Sequence, residues 1–216
     1  MDNSTAKNAL LSPCRNYRYW LSRDWDDLLP IVTFIMMNPS TADATIDDAT
    51  IRKCVGFAKT WGFGRIRVVN LFALRSRDPL DLFENFISVM CGTCLHEWVQ
   101  LDGEYTGPRP CEKCGSLDTE ENDEPWDPIG PDNDAILTGV IADSTHVVAA
   151  WGCESTLRKK VEDKSLRERP AQVIDMIRRV RPELPISCLG MSKNGTPYHP
   201  LMLAYTTPRI PFEVTA

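Results

Sequence analysis

Ile31-Val-Thr-Phe-Ile-Met-Met-Asn-Pro-Ser-Thr-Ala-Asp43 decides the fold. Its first seven residues are a short apolar run, as expected of a strand buried on both faces, and Asn38-Pro-Ser ends it with turn chemistry. Downstream, Asp47 or Asp48 can cap a helix whose Ile51, Cys54, Val55 and Ala58 recur at helical spacing, with a stop near Trp61-Gly62. Ile66–Phe72 reads as a second strand. Pro131–Asp134 opens another helix (Ile136, Leu137, Val140, Ile141), and His146–Trp151 is a third strand. After a basic stretch at 155–169, a helix is expected from about Pro170, with Val173, Ile174, Ile177 and Val180 on one face, followed by a fourth strand at Ile186–Leu189. Upstream, Tyr17–Trp25 alternates as an edge strand or hairpin. Short apolar strands separated by helices predict an α/β three-layer sandwich around a central, mostly parallel four-stranded sheet.

Right-handed crossovers would bring the strands' carboxyl ends to one edge, where open α/β sheets bind ligands. The residues expected there are Asn38 and Asp43 after strand one, and Asn70, Arg75 and Arg77 at and beyond strand two. Trp151-Gly152 ends strand three, and strand four leads through Lys193 to Tyr198-His199. Amides can read a heterocycle, an aromatic ring can stack on it, and glycine admits close backbone approach. Each also has a plainer reading as turn, core or capping residue. Asp43 is the favoured general base because Asp47 and Asp48 already have a role as caps. Asp132 and Asp134 share that ambiguity. Cys153 can form a dyad with His199 or His146, or simply pack beneath the Trp-Gly turn. No Walker loop, GxGxxG after a strand or HExxH is present.

Cys91-Gly-Thr-Cys94 and Cys111-Glu-Lys-Cys114 interrupt this α/β pattern. Two CxxC knuckles at this spacing predict one structural zinc ion held by four thiolates, with Gly115 closing the second knuckle. Two disulfides, a redox pair, or His96 in place of one thiolate are the alternatives. Residues 86–124 are therefore expected to form a small zinc-ribbon insertion, with 1–85 and 125–216 forming the α/β core.

The chain is 43% hydrophobic and 25% charged, with a net charge of −6. That charge is unevenly spread. Residues 81–134 hold 14 acidic and 2 basic residues, whereas the segments on either side are each +3. A mildly basic body tolerates a polyanionic partner, while the acidic insertion disfavours tracking a phosphate backbone and suits a protein partner. No apolar run reaches the roughly 20 residues of a membrane span. With no secretory h-region and metal-type cysteines, a cytoplasmic location is expected.

Met37-Asn-Pro-Ser-Thr-Ala-Asp43, Asp48-Ala-Thr-Ile-Arg52, Val69-Asn-Leu-Phe-Ala73, Pro128-Ile-Gly-Pro131, Ala150-Trp-Gly152 and Tyr198-His-Pro-Leu201 resemble the family called domain of unknown function 1643. The likeness covers about residues 14–203 except the cysteine segment. A weaker similarity, in the order Asn-Pro, Trp-Gly, His-Pro, is to the uracil-DNA glycosylase superfamily, which shares this architecture and flips a base into a pocket at this edge. That resemblance implies that Asn38 positions a water, Asn70 reads the base, and His199 stabilises charge on the departing base. Arg75, Arg77 or Lys193 would meet phosphates, such as those of DNA, and Trp151, Gly152 and Tyr198 would complete the substrate site. The chain departs from it in having no aspartate at the Asn38 position and no full His-Pro-Ser-Pro. The expected function is that of a glycosylase-like enzyme cleaving or transferring at an N-glycosidic bond. The alternative is a non-catalytic module that recognises a nucleotide or modified base.

Overall fold

The computed structural model describes residues 5–79, 82, 86–101, 110–122, 127–152 and 167–212. Cys153, Arg109, Trp126 and the basic stretch 155–166 lie outside the described residues. Strands β1 (Ala6–Leu11), β2 (Arg18–Asp24) and β3 (Ile31–Met36) precede helix α1 (Ala49–Thr60) and β4 (Arg65–Asn70). Then come β5 (Phe86–Cys91), β6 (Glu97–Leu101) and β7 (Thr119–Asn122). Helix α2 (Asn133–Ala142), β8 (His146–Ala149), helix α3 (Arg169–Val180), β9 (Ile186–Cys188), a 3-10 turn (Pro200–Met202) and β10 (Ile210–Pro211) complete the order.

The main sheet has seven strands in the order β1-β2-β4-β3-β8-β9-β10, which corrects the four expected. The four strands read from apolar runs are its parallel centre, β4-β3-β8-β9, and antiparallel strands extend both edges. The added edges carry weak sequence signals. β1 is largely exposed and β10 is two residues long. β2, expected at an edge, lies inside, between β1 and β4.

β3 explains the apolar run that opened the sequence. It pairs in parallel with β4 on one side and β8 on the other, and all six of its residues are buried. Its one polar side chain, Thr33, shares a 2.6 Å hydrogen bond with Ser144. Along the central strands the side chains alternate between two cores. Phe34, Val68 and Val148 meet Ile51, Cys54, Phe57 and Ala58 of α1. Ile35, Val69, Val147 and Ala149 meet Leu137 and Ile141 of α2 and Val173, Ile174 and Ile177 of α3. Each large side chain buried in this way contributes roughly 1.5–3 kcal/mol. α1 starts where Asp48 accepts a hydrogen bond from Ile51 N (2.8 Å), and it stops at Trp61-Gly62, with Gly62 at φ +79°.

β2 contains a bulge. Leu10 pairs with Trp20 but Leu11 pairs with Arg18, so Tyr19 has no partner on β1. The extra residue resets the alternation. Tyr17 and Tyr19 join the α2–α3 core, while Leu21 joins the α1 core. Arg18 and Arg23 then reach the loop before α1. Arg18 Nη1 donates to Ala42 O (2.6 Å), and the fully buried Arg23 donates to Asp43 O (2.7 Å) and Asp47 Oδ1 (2.6 Å).

Two buried polar side chains fix the end of β4. Asn133 Nδ2 donates to Asn70 O and Leu71 O, both at 3.2 Å. Arg169, 1% exposed, donates from Nε to Leu71 O (2.9 Å) and pairs with Asp134. β5, β6 and β7 form a separate antiparallel sheet, in the order β6-β5-β7. No described helix is long and apolar enough to cross a membrane.

Because Arg169 is buried and Asp134 is half exposed, the carbonyl bond should outweigh the ion pair. Arg169→Met is expected to lower stability in urea by about 2–3 kcal/mol, and Asp134→Asn by under about 1 kcal/mol. The opposite ranking would assign the stabilisation to the ion pair.

Candidate functional site

The carboxyl ends of β3, β4 and β8 open onto a cavity of about 360 Å³, bounded on one side by the first turn of α1. Asn38, Asn70, Arg77, Trp151, Gly152 and His199, all expected at this edge, line it together. Arg18, Ser40, Asp48 and Ser76 also line it.

Asn70 is 1% exposed, and among the described residues neither its Oδ1 nor its Nδ2 has a hydrogen-bond partner. An unpaired buried amide costs about 1–3 kcal/mol, so this one is kept available at a cost in stability. Its backbone cannot turn away to compensate, because Asn133 holds the carbonyl. Asn38 is oriented differently. Its Nδ2 donates to Ser76 O (2.9 Å) and Pro39 O (3.3 Å), and its Oδ1 accepts no hydrogen bond among the described residues. That oxygen can hold a water.

Trp151 is 4% exposed and meets Phe212 edge-on at 5.4 Å. Gly152, at φ +59°, lies so close to His199 that an added Cβ would stand 2.9 Å from the histidine Cβ. His199 Nδ1 accepts from Leu201 N (3.3 Å), so the neutral ring carries its proton on Nε2. Burial lowers the pKa of His199, and the nearby Asp48 partly opposes that shift. The imidazole is therefore a neutral donor near pH 7. It is positioned through α1: Lys53 Nζ donates to Leu203 O (2.6 Å) and lies over the Tyr205 ring, which meets Phe57 edge-on.

Four expected residues lie outside the cavity lining. Asp43 Oδ1 accepts from Thr45 N (2.7 Å), Thr45 Oγ1 (2.9 Å) and Ile46 N (2.9 Å), and these bonds hold its pKa at about 2. A carboxylate so stabilised is a poor base. Arg75 donates Nη1 to Arg15 O (3.1 Å), Lys193 is exposed elsewhere, and Tyr198 packs over Gly190. The carboxylate at the cavity is Asp48. One of its oxygens caps α1, and the other accepts no hydrogen bond among the described residues. The sequence reading missed Asp48 because capping looked sufficient, and missed Arg18 because its direction depends on the β2 bulge. A charge inside the otherwise aromatic and apolar run Tyr17–Leu21 was the available signal for Arg18.

A larger cavity of about 910 Å³ lies toward the opposite ends of the parallel strands, around Trp61, His146 and Arg209. Arg209 is stacked over Trp61 and Phe63, at 4.7 and 5.3 Å, and His146 is paired with Ser187 (2.8 Å). Those groups already serve the packing there, so the smaller cavity is the better candidate.

The two knuckles form a second, separate centre. Leu95 N donates to Cys91 O (2.9 Å) and Gly115 N to Cys111 O (2.7 Å), with both residues at positive φ, 56° and 74°. Cys91 N and Cys111 N bond to His96 O and Ser116 O in the same way. The two turns thus repeat one geometry, and Leu95 tolerates a conformation that costs about 1–2 kcal/mol outside glycine. The four sulfurs lie within 4.8 Å of one another, with Cys91–Cys114 and Cys94–Cys111 both at 3.6 Å. Tetrahedral ligation with arms of about 2.3 Å would separate sulfurs by about 3.8 Å, so the cluster can hold a metal ion. His96 is not part of the cluster.

A family described as "Protein of unknown function (DUF1643)" matches residues 18–93 and 115–201, and the chain belongs to that family. The unmatched stretch, 94–114, falls within 86–124 and contains Cys94, Cys111 and Cys114. No curated protein and no solved structure matches the chain.

Gly152→Ala should displace His199 and lower stability by about 1–2 kcal/mol from the positive φ alone. Thermal denaturation and the His199 imidazole NMR signals would measure this. Unchanged values in both would remove Gly152 as the residue that sets the histidine's position.

Proposed function

We propose that this member of the family is a glycosylase-like enzyme acting on a nucleobase-containing substrate at its N-glycosidic bond. The buried, unpaired Asn70 amide carries this reading. It offers a donor nitrogen and an acceptor oxygen on a planar group in the lining of a cavity, the complement of a nucleobase edge. Trp151 walls the same space. Asn38 Oδ1 would hold the attacking water, and the second Asp48 oxygen, in place of Asp43, would take its proton. As the water oxygen bonds to the anomeric carbon, the carbon–nitrogen bond breaks and its electron pair leaves with the base. The His199 Nε2–H stabilises that negative charge. The two helical faces of the sheet support the three-layer sandwich on which this comparison depends.

The expected result is release of free base from a panel of nucleosides, nucleotides and base-modified oligonucleotides, followed by chromatography. Asn38→Ala and His199→Ala should each slow release about 100-fold or more. Binding without base release by the unsubstituted protein would instead support the recognition module.

The four thiols are proposed to hold one structural zinc, a role for which a closed sulfur shell is suited. The acidic segment around them suits a protein partner better than a phosphate backbone, and thiolate ligation suits the reducing cytoplasm. Elemental analysis should find one zinc per chain, and Cys111→Ser should lose it. Chelation should melt the β5–β7 sheet while the seven-stranded sheet keeps its circular dichroism signal. Global unfolding on chelation would refute this separation.

A further inference from the structure

The first turn of α1 faces the cavity through Asp48, Ala49, Thr50 and Ile51. The start of a 12-residue helix presents N–H groups, of which Asp48 Oδ1 takes that of Ile51, and the remainder favour an anion. That alone would not make a site. Arg18 supplies the second observation. It is 3% exposed and lines the same cavity, and its buried Nε has no hydrogen-bond partner among the described residues. Among the described residues, Nη1 alone of its nitrogens donates a side-chain hydrogen bond, to Ala42 O. Burial lowers its pKa to about 10, with Asp48 opposing, so it remains charged near pH 7. Arg18 and Asp48 do not form an ion pair within 4.0 Å, and Arg77 adds a further cation to the lining. With His199 neutral, the two arginines outweigh the one carboxylate.

We infer that the cavity takes a free nucleotide whose terminal phosphate is held between Arg18, Arg77 and the amino end of α1, while Asn70 reads its base. This rests on the proposed base-directed reading of the cavity and adds the substrate class. A base flipped from a nucleic-acid strand keeps its phosphates at the protein surface, where a rim of cations would meet them. Here two of the expected rim cations, Arg75 and Lys193, lie off the cavity, and a cation only 3% exposed, Arg18, lines it from inside. A volume of about 360 Å³ is at the small end for ligand sites and suits one nucleotide.

Calorimetric titration of the full chain with nucleosides, their 5′-monophosphates and a short single-stranded oligonucleotide tests this. The monophosphate of the preferred base should bind at least 10-fold tighter than its nucleoside and tighter than the oligonucleotide. Arg18→Gln should abolish the preference for the phosphate, and Asn70→Ala should weaken nucleoside and monophosphate by the same factor. If Arg18→Gln does not fold, Arg18→Lys should keep a reduced preference, and the phosphorus NMR signal of the monophosphate should shift on binding the unsubstituted protein. Equal affinity for nucleoside and monophosphate, or binding of the oligonucleotide alone, would overturn the inference. Base release from an oligonucleotide without nucleotide binding would sink it while leaving the proposed reaction standing. Tight monophosphate binding without base release would do the reverse.

Discussion

The carbonyl of Leu71 is where this molecule is held to its shape. Two side chains from different helices, Asn133 at the start of α2 and Arg169 at the start of α3, donate to that one oxygen in the buried interior. A strand normally ends where its carbonyls turn to water. Here β4 ends inside the protein, and without those donors its last carbonyls would be buried and unpaired. The clamp ties α2 and α3 to the strand that carries Asn70. The side chain of Asn70 can therefore stay unpaired while its backbone is fixed.

The opposite side of the cavity follows a similar logic. Arg18 and Arg23 leave β2 on the α1 side and bind the loop carbonyls of Ala42 and Asp43. That loop delivers Asp48 to the start of α1, and α1 in turn holds the segment carrying His199 through Lys53 and Tyr205. Each functional group is thus supported by hydrogen bonds or packing behind it. Such support keeps side chains in place before a ligand arrives.

Much of this was legible in the sequence because burial on both faces leaves a plain mark. The apolar runs at Ile31, Ile66, His146 and Ile186 located the four parallel strands within a residue or two. The parallel arrangement then located the edge where Asn38, Asn70, Trp151 and His199 gather. The two outer additions to the sheet, β1 and β10, were not legible, since a half-exposed or two-residue strand has no distinctive pattern. Nor was the choice among carboxylates. Asp43, Asp47 and Asp48 are chemically alike and close in sequence, and only the folded loop gives Asp43 three donors, Asp47 two cations, and Asp48 a place at the cavity. Arg18 depended on a bulge, a one-residue shift that composition does not encode.

The cavity draws its groups from widely separated parts of the sequence, from Arg18 to His199. This has a consequence for biosynthesis. A nascent chain that has emerged through β4 already contains Arg18, Asn38, Asp48 and Asn70, but His199 follows about 130 residues later. At ribosomal speeds that interval lasts roughly 6–26 s. Over that time the central strands can begin to form while the site stays unfinished, with its buried arginine and amide open to water. Ligand can thus be captured in full only after the segment carrying His199 has emerged.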